Sequence, residues 1–343
     1  MFLLAGGGTG GHFFPALALG RFLKEKGHEV TLVASSRGPE RSVRTELPVL
    51  HLEARPFSLS PKGFFEFLLS AYRSYRKLEQ AVPGAEAVVS FGGYASTAAS
   101  LYALKKGIPL FLHEQNAVPS RSSRLFRRFA RVTFVAFERA KSFFPEAVRV
   151  GLPLRKEAKK RYAKKEARRL LGLPEEATVV LVLGGSQGAL FLNELTLKLA
   201  RHLPFTFLLV TGRSHYERFR KAPPSVKALP FLEETGLLYS AADVAVSRAG
   251  AGACAELSYH GVPTLFIPYP YAVYDHQYHN AKELELLGGA LVLRQQEATP
   301  KKVLKALETL LSDRSLYSER IKRFCDGKAD ERMYAYLTAE GGL

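Results

Sequence analysis

Two glycine-rich turns lie between apolar segments and helical patterns, and their composition suits the binding of a phosphate. The first covers residues 6–12 and reads Gly-Gly-Gly-Thr-Gly-Gly-His; the second covers residues 184–188 and reads Gly-Gly-Ser-Gln-Gly. Glycine lets the backbone approach a ligand closely, and the free N–H groups at a helix start attract an anion. Ser186 adds a hydroxyl donor. Either turn alone could be a tight turn and nothing more, but their recurrence in both halves favours a phosphorylated ligand.

The first turn also fits the spacing Gly-x-Gly-x-x-Gly of dinucleotide-binding proteins, through Gly6, Gly8 and Gly11. An NAD enzyme of that type needs an acidic residue at the end of the second strand, where this chain has Ser36 and Arg37. NAD is therefore disfavoured. An NADP-dependent oxidoreductase stays open as an alternative function, because arginine accommodates the additional phosphate of NADP. The second turn lacks the Gly-Lys-Ser/Thr ending of a P-loop, which argues against ATP hydrolysis.

Metal ligands do not occur in the patterns typical of catalysis by a bound cation. The chain has no Asp before Asp243, no Asp-x-Asp pair and no His/Cys cluster with zinc spacing. We therefore expect neither a metal nor another cofactor. A bound diphosphate would be neutralised by helix N-termini, Ser186 and Arg155.

His12 is the candidate for acid–base chemistry, because it closes the first glycine turn at the start of a helix. An unperturbed histidine has a pKa of about 6.5, and the positive end of a helix dipole favours its neutral, proton-accepting form. From the residues alone, a histidine that only hydrogen-bonds the turn is an equally good interpretation. His113 and Glu114 are expected to hold the end of another strand rather than to catalyse.

The order of the elements predicts an α/β protein with two doubly wound, Rossmann-like domains that face one another across a cleft. Short Val-, Leu- and Phe-rich segments alternate with helical patterns, as in parallel sheets. The succession of strand, glycine turn, helix, Gly-x-Pro and strand occurs over residues 87–112 and again over residues 244–267. Each half therefore resembles a complete domain.

Domain boundaries are expected near residues 153 and 325. The first domain would cover 1–153 and the second 154–325, and a helix in 326–343 would pack back on the first domain. Within these domains we expect one helix to begin at Pro15 and a charged helix to cover 156–171.

The chain is strongly basic, with a net charge of +17. Such an excess predicts attraction to nucleic acid, anionic lipid or a phosphorylated substrate. A basic nucleic-acid-binding protein is thus a second alternative, although no RNA-recognition, helix-turn-helix or zinc-finger signature is present. We find no uncharged apolar stretch of about 18 residues, and the first residues suit a strand better than a signal peptide, so a protein that stays inside the cell is expected.

A membrane-facing surface is predicted on the first domain. Ser60 can cap a helix that begins at Pro61 and whose apolar face is wide, and residues 121–131 place large apolar side chains among five arginines. We expect these segments to dock on an anionic membrane, although a helix that covers the sheet explains the same pattern. The residues concerned are Lys62, Phe64, Phe65, Phe67, Leu68, Tyr72, Arg73, Arg76, Arg124, Phe126 and Arg127.

Seven motifs, spread in order over nearly the whole chain, together resemble the MurG family of N-acetylglucosaminyltransferases. They are Gly-Gly-Thr-Gly-Gly-His at 7–12, Gly-Gly-Tyr at 92–94, His-Glu-Gln-Asn at 113–116, Gly-Leu-Pro-Leu-Arg at 151–155, Gly-Gly-Ser-Gln-Gly at 184–188, Ser-Arg-Ala-Gly-Ala at 247–251 with Glu256, and Asp-His-Gln at 275–277. The resemblance implies the two-domain GT-B fold and inverting, metal-independent transfer of N-acetylglucosamine from UDP-GlcNAc to undecaprenyl-pyrophosphoryl-MurNAc-pentapeptide in peptidoglycan synthesis. It also implies a peripheral position on the cytoplasmic face of the cell membrane.

The resemblance assigns roles to matching positions. Glu256 would take both ribose hydroxyls, the backbone of Leu232 would contact the uracil edge, and His12 is favoured as the catalytic base. The other implied donor-binding residues are Thr9, Gly10, Gly11, Asn116, Arg155, Ser186, Ala251, Gly252, Ala253 and Gln277. The implied acceptor-binding residues are Gly10, Gly11, His12, Tyr94 and Asn116. Family members often carry hydroxyl residues where this chain has Gly252 and Ala253, so a side-chain contact is lost there.

Overall fold

The computed structural model describes residues 1–7, 10–36, 43, 45–53 and 60–341, except for the side chains of residues 61, 64, 67, 68, 340 and 341. It divides into two compact units. Unit 1 comprises Met1–Arg155 and Lys328–Leu343, and unit 2 comprises Lys156–Gly327. The chain changes units after residues 155 and 327, whereas the sequence placed these changes after residues 153 and 325.

Unit 1 is built on a parallel sheet, with seven strands in the described part of the chain. These strands are β1 Phe2–Ala5, β2 Val30–Ser35, β3 Val49–Leu52, β4 Ala87–Ser90, β5 Leu110–Glu114, β6 Val132–Val135 and β7 Val148–Arg149. Their spatial order is β3-β2-β1-β4-β5-β6-β7. The strand order therefore reverses between β1 and β4, and open α/β sheets bind ligands beyond the carboxyl ends of the strands at such a switch point.

Helices cover both faces of this sheet. Those between β1 and β7 are α1 Gly10–Glu25, α2 Pro61–Ala81, α3 Tyr94–Lys106 and α4 Arg121–Phe126, with 3-10 turns at Arg127–Phe129 and Glu138–Ser142. Side chains alternate along β1, so that Phe2 and Leu4 pack on the α1 face, whereas Leu3 packs on the α2–α3 face. Both faces of β1 are buried, which explains its uninterrupted apolar sequence.

The start of α1 differs from the prediction. The helix begins at Gly10 rather than at Pro15, and Pro15 lies inside it. Pro15 is the sixth residue of the helix and lies beyond the first four N–H groups, so the helix loses the one hydrogen bond that residue 15 would donate to the carbonyl oxygen of Gly11. Because the helix begins at Gly10, His12 is part of the first helical turn. The predicted start of α2 is confirmed: Pro61 is its first residue, and the Ser60 hydroxyl accepts a hydrogen bond from the backbone N–H of Gly63 (3.1 Å).

Unit 2, every residue of which is described, contains a six-stranded parallel sheet. Its strands are β8 Val179–Leu183, β9 Thr206–Val210, β10 Val226–Leu229, β11 Val244–Ser247, β12 Thr264–Phe266 and β13 Ala290–Val292. The order β10-β9-β8-β11-β12-β13 is that of a Rossmann fold, and its switch point lies between β8 and β11.

The helices of unit 2 pack on this sheet around a core of Val, Leu and Phe side chains. They are α5 Lys156–Lys159, α6 Lys164–Leu170, α7 Leu190–Ala200, α8 Tyr216–Phe219, α9 Thr235–Ala241, α10 Ala251–His260, α11 His276–Leu286, α12 Pro300–Ser312 and α13 Arg314–Lys322, with 3-10 turns at Val273–Asp275 and Gln295–Glu297. The single charged helix predicted for 156–171 is wrong. The chain breaks between α5 and α6, where the backbone N–H of Tyr162 donates to the Ser240 hydroxyl (3.1 Å) instead of continuing a helix.

The last helix, α14 (Ala329–Gly341), returns to unit 1. Its Met333 and Leu337 are buried in the same core as Phe2 and α1. The Tyr334 hydroxyl lies 3.2 Å from His28 Nε2, so the end of the chain is joined to the segment before β2 by polar as well as apolar contacts.

Candidate active site

The switch point of unit 1 is lined by two segments whose backbones are in direct contact. One follows β1 and leads into α1; the other is the turn Phe91–Gly93 after β4. Gly92 and Gly93 have φ angles of +89° and +87°, which L side chains rarely adopt. A Cβ on Gly93 would overlap the carbonyl oxygen of Gly7. Glycine is therefore required here for both conformation and space. Gly8 and Thr9, which belong to the first segment, lie outside the described residues.

His12 projects from the first turn of α1 onto this glycine turn. Its Nδ1 lies 2.9 Å from the carbonyl oxygen of Phe91 and 3.0 Å from Oε1 of Gln115. A Cβ on Gly92 would lie 3.3 Å from ring atoms of His12, so the ring packs directly on the turn. Because a carbonyl oxygen only accepts, Nδ1 carries a proton, and the lone pair of the neutral ring is on Nε2. The half-buried ring is thus held in one orientation with a proton-accepting nitrogen.

The end of β5 and the segment that follows it supply the polar surroundings of His12. His113 Nε2 donates to the carbonyl oxygen of Gly151 (2.8 Å), and burial lowers the pKa of His113 to about 4. The buried carboxylate of Glu114 accepts from the backbone N–H of Ser120 (2.9 Å) and from the Ser123 hydroxyl (2.7 Å). These partners show that His113 and Glu114 fix the path of the segment.

Three further predicted residues belong to unit 1. Asn116 is half-buried, and its backbone N–H donates to Glu114 (3.0 Å). Tyr94 is the exposed first residue of α3. Arg155 is buried with its guanidinium 4.3 Å from the centre of the Phe14 ring, and its Nε has no hydrogen-bond partner among the described residues. Arg155 belongs to unit 1, whereas Glu256, which is also predicted to bind the donor substrate, belongs to unit 2.

The switch point of unit 2 combines the second glycine turn with the start of α10. Gly188 has a φ of +76°, and a Cβ there would overlap the carbonyl oxygen of Thr211. Ser186, at the tip of this turn, is exposed. Ala251, Gly252 and Ala253 form the first turn of α10, where backbone N–H groups have no helical partner and attract an anion. This end of unit 2 is suited to a phosphate.

Glu256 lies in the next turn of α10 and is held by two hydroxyl groups from α9. Oε2 accepts hydrogen bonds from the Tyr239 hydroxyl (2.8 Å) and the Thr235 hydroxyl (3.0 Å). Both of these bonds go to Oε2, which leaves Oε1 for a ligand with paired hydroxyls. Leu232 is half-buried in the loop that leads into α9. Leu232 thus lies three residues before Thr235, which begins α9 and is one of the two partners of the carboxylate.

Gln277, in α11, uses its carbonyl oxygen within the protein. Oε1 accepts from the backbone N–H groups of Ala249 (3.2 Å) and Tyr269 (3.0 Å). A contact from Gln277 to a sugar would therefore come from its NH₂ group, as a donor. Tyr274 and Asp275, just before α11, have φ angles of +54° and +53°, which are uncommon for residues other than glycine.

The sequence missed the partners that orient the two central side chains. Gln115 stood in a recognised motif without a role, and Thr235 and Tyr239 were not singled out. Thr235 and Tyr239 are four residues apart in α9, which places them on one face of the helix. This spacing is the only feature of the sequence that pointed to them. No group of three or more His, Cys, Asp or Glu side chains arranged to hold a metal occurs within the described residues.

The predicted membrane surface needs one correction. Phe126 is 3% exposed and packs in the core with Leu78 and Tyr102, because its position on α4 faces α3 and the sheet. Phe65, Tyr72 and the five basic residues of the prediction are exposed, whereas the side chains of Phe64, Phe67 and Leu68 lie outside the described part. The other two large apolar side chains of the predicted segment 121–131, Leu125 and Phe129, are exposed beside Arg124 and Arg127. No helix in the described ranges is long and apolar enough to cross a membrane.

Two Rossmann-like units with a glycine turn at each switch point are the architecture of GT-B glycosyltransferases. The crystal structure of Acinetobacter baumannii MurG is similar to this chain with a TM-score of 0.74 and 28% identity, over 98% of this chain and 99% of that one. The fold and the two sites therefore define a two-domain glycosyltransferase.

The sequence comparisons lead to the family. The model described as "Glycosyltransferase family 28 N-terminal domain" matches residues 2–135, and the model described as "Glycosyltransferase family 28 C-terminal domain" matches residues 179–333. The UDP-N-acetylglucosamine–N-acetylmuramyl-(pentapeptide) pyrophosphoryl-undecaprenol N-acetylglucosamine transferase of Aquifex aeolicus is 45% identical over 98% of this chain and 99% of its own. The protein of the same name from a Sulfurihydrogenibium species is 31% identical over 96% and 95%. The chain belongs to the MurG family within glycosyltransferase family 28.

Proposed function

We propose that this protein transfers N-acetylglucosamine from UDP-GlcNAc to undecaprenyl-pyrophosphoryl-MurNAc-pentapeptide, with inversion at the anomeric carbon. The observation that carries the proposal is the 45% identity, over nearly the full length of both chains, to a protein named for this transfer. In this proposal the chain converts one lipid-linked precursor of peptidoglycan into the next.

Unit 2 binds the donor in this scheme. The N–H groups of Ala251, Gly252 and Ala253 face the diphosphate, and Ser186 adds its hydroxyl. Glu256 takes the ribose hydroxyls through the oxygen that Tyr239 and Thr235 do not use. The backbone at Leu232 contacts the uracil edge, and the NH₂ of Gln277 donates to the sugar. Gly252 and Ala253 offer backbone groups alone.

Unit 1 binds the acceptor and supplies the base. His12 Nε2 takes the proton of the acceptor hydroxyl while that oxygen attacks the anomeric carbon and the bond to UDP breaks. Gly10, Gly11, Tyr94 and Asn116 line the acceptor position. Thr9 is assigned to the donor by motif alone. The buried cation of Arg155 stabilises the negative charge that develops on the leaving diphosphate.

Calorimetric titration without added metal tests the substrate class, with UDP-GlcNAc, UDP-GalNAc and NADPH as ligands. We expect UDP-GlcNAc to bind more tightly than UDP-GalNAc, and NADPH not to bind. Incubation with radiolabelled UDP-GlcNAc and the lipid-linked acceptor should then give a labelled lipid product. Binding of NADPH without any response to UDP-GlcNAc would overturn the proposal in favour of the oxidoreductase alternative, for which Arg37 lies outside the described residues. A salt-dependent shift with RNA and no response to UDP would favour the nucleic-acid alternative.

We further propose that the exposed side chains of α2 and of residues 121–131 hold unit 1 on the anionic cytoplasmic face of the cell membrane. Both segments combine exposed large apolar side chains with exposed arginines, a composition that suits the lipid headgroup region. The supporting observation is that Phe65, Tyr72, Leu125 and Phe129 are exposed in unit 1.

Sedimentation with vesicles tests the membrane proposal. Binding to vesicles with anionic lipid should exceed binding to neutral vesicles at low salt, and Leu125→Ser should reduce it. Leu170→Ser is the matched control, because Leu170 in unit 2 is 63% exposed and Leu125 is 61% exposed. Equal binding to anionic and neutral vesicles, or an equal loss in both variants, would contradict the proposal.

A further inference from the structure

Behind His12 lies a chain of polar side chains that leads away from the glycine turn into the core of unit 1. Gln115 Oε1 is 3.0 Å from His12 Nδ1, and Gln115 Nε2 is 2.8 Å from the carbonyl oxygen of His113 and 3.3 Å from His113 Nδ1. His113 Nε2 is in turn 2.8 Å from the carbonyl oxygen of Gly151. Gln115 and His113 are both buried, so bulk water does not compete for these groups.

The far end of this chain determines the orientation of the Gln115 amide. The carbonyl oxygen of Gly151 only accepts, so His113 Nε2 carries a proton. Burial lowers the pKa of His113 to about 4, so near neutral pH the ring is uncharged and Nδ1 is an acceptor. The Gln115 NH₂ group therefore points to His113, and its Oε1 points to His12.

The contacts at His12, the other end of this chain, independently require the same orientation of the Gln115 amide. The carbonyl oxygen of Phe91 fixes a proton on His12 Nδ1, and a donor from Gln115 at 3.0 Å from that proton-bearing nitrogen would be repelled. Oε1 is the only Gln115 atom that fits. In free neutral histidine the proton prefers Nε2, the nitrogen that must be unprotonated for His12 to act as a base, so the tautomer depends on these hydrogen bonds.

We propose that Gln115, oriented by His113, is a positioning residue that holds His12 in the tautomer with a free Nε2 and stabilises the imidazolium formed during transfer. This inference rests on the proposed role of His12. The proton moves from the acceptor hydroxyl to His12 Nε2 as the new glycosidic bond forms and UDP leaves, and the Nδ1 proton stays in place. In Ser-His-Asp sites a carboxylate orients the histidine; here two uncharged oxygens, from Gln115 and Phe91, do so.

An amide suits this position better than a carboxylate. The residue between His12 and His113 must accept from one side and donate to the other, and among side chains of this length only glutamine does both near neutral pH. Glutamate would place an acceptor against the carbonyl oxygen of His113. The residue type at 115 is thus accounted for by its two neighbours.

Steady-state kinetics of Gln115→Met test the inference, since methionine keeps the length and removes both hydrogen bonds. We expect kcat to fall about 10- to 100-fold, because the lost bond strengthens when His12 becomes charged. The KM for UDP-GlcNAc should change by less than about twofold, because Gln115 is not among the residues assigned to donor binding. Tyr102→Phe is the matched control: it removes another buried hydrogen bond of unit 1, to the carbonyl oxygen of Val82 (2.7 Å), and should leave kcat unchanged. An unchanged kcat in Gln115→Met would overturn the inference.

A spectroscopic measurement tests the same point without any substrate. Long-range ¹H–¹⁵N spectra of protein with labelled histidine, with His12 assigned through His12→Ala, report which ring nitrogen is protonated. We expect Nδ1–H in the wild-type protein and a measurable Nε2–H fraction in Gln115→Met. A wild-type His12 protonated on Nε2 would also overturn the inference. Absence of transfer in the wild-type protein would instead refute the proposed function, and the tautomer would still decide the role of Gln115.

Discussion

The two switch points use the same succession of elements to build different surroundings. In unit 1, the turn Phe91–Gly93 after β4 has two glycines at positive φ and packs against both Gly7 and the His12 ring. In unit 2, the equivalent turn after β11 ends in Gly250, which has a φ of −65° and nothing within 4 Å of an added Cβ. The first turn is closely packed around a side chain, whereas the second leaves the start of α10 open.

The residue that begins each turn explains part of this difference. Phe91 offers its carbonyl oxygen to His12. At the equivalent place in unit 2, the buried guanidinium of Arg248 donates to the carbonyl oxygens of Ile267 (2.9 Å) and Pro268 (3.0 Å). Burial lowers the pKa of Arg248 to about 10. Unit 1 thus presents a ring nitrogen that can accept a proton, whereas unit 2 presents the free N–H groups at the start of α10. One supersecondary unit therefore serves either chemistry.

With the catalytic base in unit 1, His12→Ala should have the largest effect on turnover. We expect kcat to fall by a factor of about 10² to 10⁴, the contribution typical of general base catalysis, and the KM for UDP-GlcNAc to change little. The measurement is steady-state transfer at saturating acceptor. His202→Ala, which removes an exposed histidine of unit 2, should behave like the wild-type protein. A near-normal kcat for His12→Ala would remove His12 from the role of base.

A pair of glycine substitutions compares the packing of the two turns directly. Gly93→Ala should cost about 3 kcal/mol or more, because it combines strain at positive φ with overlap on the Gly7 carbonyl. Gly250→Ala should cost about 1 kcal/mol or less, since the space is open and the φ suits alanine. Urea unfolding monitored by circular dichroism gives both values. Similar losses in the two variants would show that the turns are equally constrained.

The pH dependence of stability gives a third test, through His113 in unit 1. Its pKa is lowered from 6.5 to about 4, so between these values the unfolded chain binds more protons than the folded one. Stability from this residue is complete above about pH 6.5 and is lost as the pH falls towards 4, by up to about 3 kcal/mol. Replacement by leucine should reduce the pH dependence of the unfolding free energy between about pH 4 and pH 6.5. The same slope in His113→Leu would assign the effect to other groups.

The smallest effect is expected in unit 2, from Tyr239→Phe. Loss of one of the two hydroxyl donors to Glu256 should weaken UDP-GlcNAc binding about fivefold, since such a bond contributes about 1 kcal/mol, and leave kcat unchanged. Calorimetry and steady-state kinetics measure the two quantities, with Tyr317→Phe in α13 as the control. A variant with normal affinity and reduced kcat would break the assignment of donor binding to unit 2.

Local patterns in the sequence determined much of the fold. The cap formed by Ser60 and Pro61, the strands β4 and β11, and the glycine turns were predicted because each depends on neighbouring residues: a side-chain cap, an apolar run, a backbone that only glycine adopts. The repeated order of elements gave the doubly wound class for the same reason. The family followed from seven short motifs, each of which is also local.

Tertiary structure decided the contacts that give the residues their roles. His12 meets Phe91 and Gln115 across separations of 79 and 103 residues, and no local pattern encodes such pairs. Phe126 lies among arginines in the sequence, yet α4 turns it into the core. The break before α6 also depended on a distant partner, because the backbone N–H of Tyr162 donates to the Ser240 hydroxyl. Residue types and spacing thus determined which groups are present, whereas the packing of parallel strands decided which of them touch, because each pair of parallel strands is separated by a long crossover connection.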